Sequence, residues 1–136
     1  MKLAELAPRL FRTEIRREIG TFLKPGIDPL RGNWTDGDFE EREHDAVYLV
    51  NVETLAEADG VTFLDPGEFR KNGGPVGTGS IHIPFKGRGD RFQPSGWQAS
   101  GTSLSDLTIS PSIFVNMHGN PPGWHGWIRN GEIVDA

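Results

Sequence analysis

The chain has 136 residues, 35% of them hydrophobic, with 18 Gly, 10 Pro and no Cys, and a formal net charge of -5. That length predicts one domain with a real core. The lack of cysteine excludes disulfides and thiolate zinc sites, and the net acidity without a long basic tract argues against nucleic acid as a partner.

The opening, MKLAELAPRLFRTEIRREIG, has a charge every few residues and no apolar run, so it does not read as a signal peptide. No later stretch has the length and apolarity to cross a membrane. The expectation is a soluble protein inside a cell. Leu10, Phe11, Ile15, Ile19 and Phe22 recur at spacings of three and four, with Arg9, Arg12, Arg16 and Arg17 between them. This predicts an N-terminal α-helix within residues 1–24, with Pro8 in its first turn and Gly20 at its end. Its Arg12 and Arg16 are candidates for docking a partner. Charge is segregated: residues 1–27 hold six bases and three acids, and residues 28–70 hold twelve acids and three arginines.

Lys24 to Arg42 is rich in Gly, Pro and acids and reads as a loop. Asp36, Asp38 and Glu40 are spaced like the start of a calcium loop but lack its glycine. The β core is expected over 46–136. Ala46–Val52 reads as a strand, Thr54–Asp59 as one helical turn, and Val61–Leu64 as a strand stopped by Asp65-Pro66-Gly67. Lys71–Gly79 is a glycine loop without the ending of a phosphate-binding loop. Ser80–Phe85 alternates like a strand, and Pro84 places it at an edge or a strand end.

Lys86–Ser95 reads as a polar loop, and its Arg88-Gly89-Asp90 is taken as chance. Trp97–Ser100, Leu107–Ile109 and Ile113–Met117 read as short strands, with Ser110-Pro111 as a turn between the last two. After a Gly/Pro loop at His118–Gly123, Trp124–Arg129 and Glu132–Val134 are expected to form a hairpin. Its turn, Asn130-Gly131, supplies the positive-φ residues a two-residue turn needs. Ile128 and Ile133 should face the core. Trp97, Phe114, Trp124 and Trp127 are expected beneath this hairpin. Trp124 and Trp127, three apart, should point to opposite faces, and Trp124 is a further partner-contact candidate.

Together these elements predict a mainly β fold, a small sandwich or open barrel of short antiparallel strands with one N-terminal α-helix. Five serines lie between Ser100 and Ser112, yet none stands in a nucleophile elbow, and no catalytic residue is assigned.

The residues Trp97, Ser100-Gly101-Thr102, Leu107 to Ile113 and Trp124-His125-Gly126-Trp127-Ile128-Arg129-Asn130-Gly131 resemble the DUF6527-like family of small bacteriophage and prophage proteins. A weaker likeness covers Gly60–Leu64, Asn72–Thr78 and Met1–Phe11. The resemblance implies a virion or the cytoplasm of an infected host as the setting. It also implies a structural zinc site, because relatives carry Cys-Pro-x-Cys after the strand corresponding to Val61–Leu64. Here Asp65 and Glu68 take those cysteine positions, His82 lies in the next strand, and His125 remains. Either the site is lost and filled by polar contacts, or Asp65, Glu68, His82 and His125 hold a divalent metal such as zinc.

Two functions follow as expectations. The first is a phage or prophage accessory or structural protein without catalysis, which binds a virion or host protein or associates with itself. The alternative is a metal-dependent hydrolase using the Asp/Glu/His set.

Overall fold

The structure is a computed structural model that describes residues 1–87, 96–115 and 123–136. Among these described residues eight strands form two four-stranded sheets. One sheet has the order β2-β1-β3-β4, from Arg9–Leu23 (β1), Phe39–Val52 (β2), Gly60–Leu64 (β3) and Ser80–Pro84 (β4). The other has the order β5-β6-β7-β8, from Gln98–Ser100 (β5), Thr108–Val115 (β6), Trp124–Arg129 (β7) and Glu132–Asp135 (β8). No helix among the described residues is long and apolar enough to cross a membrane.

The chain divides into two compact units. One comprises Met1–Thr13 with Leu49–Ala136, and the other is Glu14–Tyr48.

The N-terminal helix expected over residues 1–24 is not formed. Leu3–Leu6 makes one 3₁₀ turn, its leucines wholly buried, and Arg9–Leu23 is a strand of 15 residues. A spacing of four between Ile15 and Ile19 fits a helical stripe, but it equally places both on one face of a strand. Partners distant in sequence settle the choice. Leu10 pairs with Val61 and Phe11 with Gly60, while Arg17 bonds Glu43 and Asp45. The loop expected from Lys24 to Arg42 is correspondingly shorter, because β2 already begins at Phe39.

Among the described residues the one α-helix is Pro66–Asn72 (α1), in the stretch expected to end a strand and enter a glycine loop. Asp65 caps it, accepting from the backbone N–H of Gly67 and of Glu68, and Pro66 sits in the first turn, where its missing N–H is harmless. Gly73, at φ 70°, ends it in the left-handed region.

Ser110-Pro111 is not a turn. Thr108–Val115 is one strand, and its register with β7 shifts between Ile109 and Ile113. Proline has no N–H for the ladder, and this interruption is where a strand accommodates one. The C-terminal hairpin forms as expected. Ile128 pairs with Ile133, both buried, and Asn130 and Gly131 have φ of 48° and 73°. Those angles suit a type I′ turn, whose twist matches that of the strands.

Within the larger unit a single buried cluster draws on both sheets. Val61, Phe63, Ile81 and Ile83 come from the first, and Ile109, Ile113, Trp124, Ile128 and Ile133 from the second. Leu3, Leu6 and Leu55 join it from the short turns. The aromatic residues divide more sharply than expected. Trp124 is 5% exposed, Trp97 and Trp127 are half-buried, and Phe114 is 46% exposed. The polar loop at Lys86–Ser95 and the loop at His118–Gly123 lie largely outside the described residues, as do Arg88-Gly89-Asp90 and Met117.

Candidate protein-binding surface

The smaller unit, Glu14–Tyr48, is a hairpin of β1 and β2 with the loop that joins them. Alternation assigns its faces. Arg17 bonds Glu43 at 3.4 Å and Asp45 at 3.2 Å, so the odd-numbered residues of both strands share one face. The even-numbered residues share the other. There the Arg16 guanidinium lies 4.4 Å from the centre of the Tyr48 ring, Arg42 lies 4.4 Å from that of Phe22, and the Tyr48 hydroxyl donates to Glu18. That bond holds the Tyr48 phenol above its ordinary pKa, and the Glu14 carboxylate likewise raises that of Arg16.

The even face is thus covered by its own ion–aromatic contacts. The odd face leaves apolar side chains in water: Ile15 is 48% exposed, Ile19 70% and Val47 42%. Toward the hairpin's loop, Thr21, Asp36, Phe39, Glu40 and Glu41 line a depression of about 280 Å³. In the loop, Asp38 accepts from the backbone N–H of Thr35 and from Arg31, and these bonds hold its carboxyl below the usual range. Its Oδ2 thus ties the turn together.

Two β-strands alone are marginal in water. Glu14–Tyr48 carries nine carboxylates against five lysines and arginines, so most of the chain's net negative charge resides in it.

The four metal candidates take structural places instead. Asp65, 7% exposed, caps α1. The Glu68 carboxylate accepts from the backbone N–H of Gly79 at 2.7 Å and so pins the glycine loop. His82, on β4, stacks on Phe11 with ring centroids 4.6 Å apart. His125, on β7 in the other sheet, shares a hydrogen bond with the Ser112 hydroxyl at 3.1 Å. Among the described residues no three His, Asp or Glu side chains gather as a metal-holding group. The geometry therefore lends no support to a hydrolase built on this set.

Of the partner-contact candidates, Arg12 and Arg16 are exposed, and Arg16 also bonds Glu14 at 2.9 Å. Trp124 lies in the core, and its Nε1 donates to Asp135 at 2.9 Å. The exposed aromatic surface of the second sheet is instead the row Phe114, His125, Trp127, closed by Arg129 over the Trp127 ring at 4.8 Å.

Reading Ile15 and Ile19 as a helix stripe hides this surface. The signal available was charge: Arg17 on one segment and the run Glu40 to Asp45 on the other are complementary across a hairpin.

No protein-family model, no curated protein and no solved structure matches this chain. The likeness to the phage group rests on the residues quoted for it.

Proposed function

We propose that this chain is a non-catalytic protein that works by binding another protein, and that the hairpin Glu14–Tyr48 makes the contact. The observation that carries this is the odd face, where Ile15, Ile19 and Val47 lie in water at 42–70% exposure on a two-stranded element. Soluble proteins expose single apolar residues freely, but grouping on one face of a thin hairpin is the pattern of a contact surface. The setting the resemblance implies offers virion or host proteins as partners. The larger unit is then the anchor, which we read as a small sandwich. The cluster shared by the two sheets supports that reading.

The test is capture from host or virion lysate with the full chain and with a double variant, Ile15→Ser and Ile19→Ser. Both positions are exposed, so the variant should melt within a few degrees of the parent. A partner held by the parent and released by the variant is expected. Equal capture by both would remove the hairpin from the reading, and measurable turnover with no partner would remove the reading itself.

A further inference from the structure

β2 is the outermost strand of its sheet, and among the described residues no strand pairs along its outer edge. Such an edge presents N–H and C=O groups at the spacing of one more strand. Natural edges are commonly kept short or broken by proline. β2 runs for 14 residues without proline. Its protection is charge, and nearly all of one sign: Glu40, Glu41, Glu43 and Asp45 against Arg42.

That asymmetry selects the occupant. A second copy would bring another hairpin of nine carboxylates and five bases, so like charge would oppose its approach. A strand of opposite sign meets the reverse situation. On the odd face, Glu41, Glu43 and Asp45 outnumber Arg17, and Val47 continues the row. The Glu43 and Asp45 side chains are 65% and 40% exposed, so both can engage a further cation while keeping Arg17.

We propose that β2 takes up a basic β-segment of a partner protein by strand addition. The lysines or arginines of that segment lie beside Glu41, Glu43 and Asp45, and its apolar residues lie beside Val47. Backbone hydrogen bonds along the edge hold it, and the carboxylates set its sign. Cross-strand neighbours approach to about 5 Å, close enough for such pairs to discriminate. The proposal rests on the hairpin being the binding element and adds the chemistry of what it binds.

The probe is a synthetic peptide of about ten residues, a typical strand length at most, with lysine at alternate positions to face the carboxylates, valine at the next position of that same face to meet Val47, and threonine between. Its counterparts carry glutamate for lysine, or N-methyl groups on alternate residues to remove the backbone donors on one edge. Binding to the full chain is read by fluorescence anisotropy. The lysine peptide should bind, more weakly as salt rises, and the glutamate peptide should not. The N-methylated peptide and the variant Glu43→Lys with Asp45→Lys should each weaken binding by about tenfold or more. Because lysines beside Arg17 could disturb the hairpin, Glu43→Gln with Asp45→Gln is the second variant, and it should weaken binding in the same direction.

No binding of the lysine peptide overturns the proposal. So does equal binding of the N-methylated form, which would leave charge without strand addition, and so does a dimer of the chain that buries β2. A partner from lysate lost with Ile15→Ser and Ile19→Ser, yet indifferent to both Glu43/Asp45 variants, overturns the basic strand and leaves protein binding standing.

Discussion

Phe63 and Trp124 meet edge to face, with ring centroids 6.4 Å apart and planes at 89°. One comes from β3 and the other from β7, so this pair joins the two sheets within one buried cluster. Edge-to-face contact sets the positive rim of one ring against the negative face of the other, adding about 0.5–1.5 kcal/mol to burial. Trp124→Ala should therefore destabilise by about 3–5 kcal/mol, as large aromatic truncations do. Trp124→Phe should do less harm, since it keeps most of the ring and loses the Nε1 bond to Asp135. Urea denaturation midpoints of the two variants test the order.

Gly131 sits at φ 73°, and a Cβ there would collide with the carbonyl oxygen of Ser105. Two effects thus oppose a side chain at this turn. Gly131→Val should destabilise by roughly 1–3 kcal/mol from backbone strain, and further from the collision. A melting temperature equal to the parent's would show that the turn is not built as described.

Asp65 gives a test that separates a cap from a ligand. Asp65→Ala should destabilise by about 0.5–2 kcal/mol, because two backbone N–H groups of α1 lose their acceptor. Asp65→Asn should be much milder, since asparagine caps as well as aspartate. A metal ligand would behave otherwise, with Asn failing like Ala and a chelator lowering the parent's melting temperature.

Asp135 predicts a dependence on acid. It accepts from Arg70 at 2.8 Å and from Trp124, and these bonds hold its carboxyl below the usual range. A depressed folded pKa means the stabilisation is present above the unfolded carboxylate value, about 3.9, and is lost as pH falls through the lower folded value. Asp135→Asn should lower stability across the neutral range, where the parent carboxylate is ionised, leave it nearly unchanged at about pH 2, and so flatten the acid limb below about pH 4. Urea midpoints measured between about pH 2 and 6 would show it.

What the sequence disclosed depended on whether the deciding contacts were local. Asn130-Gly131 between apolar residues is a complete hairpin signal, so β7, β8 and the inward Ile128 and Ile133 were legible. Val61–Leu64 and Ser80–Phe85 were legible for the same reason, each alternating or β-branched between turn residues. Arg9–Leu23 was not, because Ile15 and Ile19 satisfy both periods and the choice lay with Glu43 and Asp45 across the hairpin. At Asp65-Pro66 the signal was present but double: the pair ends a strand and also caps and starts a helix. Alternation told that Trp124 and Trp127 face opposite ways, but not which goes inward. The indole partner Asp135 and the facing Phe63 lie on other strands. That the candidate metal set does not gather has a related reason: the positions of Asp65 and Glu68 were legible, but the backbone amides that bond their oxygens were not.

The first residues are stitched to the last turn: the N–H of Leu3 donates to the Gly131 carbonyl at 2.9 Å, and that of Ile133 to the Met1 carbonyl at 2.8 Å. These bonds span nearly the whole chain, so closing them carries about the largest loop entropy this chain can incur. They belong late in folding, after the hairpins have formed. A chain emerging from the ribosome amino end first must hold Leu3 and Leu6 without their C-terminal neighbours until Gly131–Ile133 appear. Through that interval the apolar leucines are without part of their cover, and synthesis speed rather than final stability governs how long they remain so.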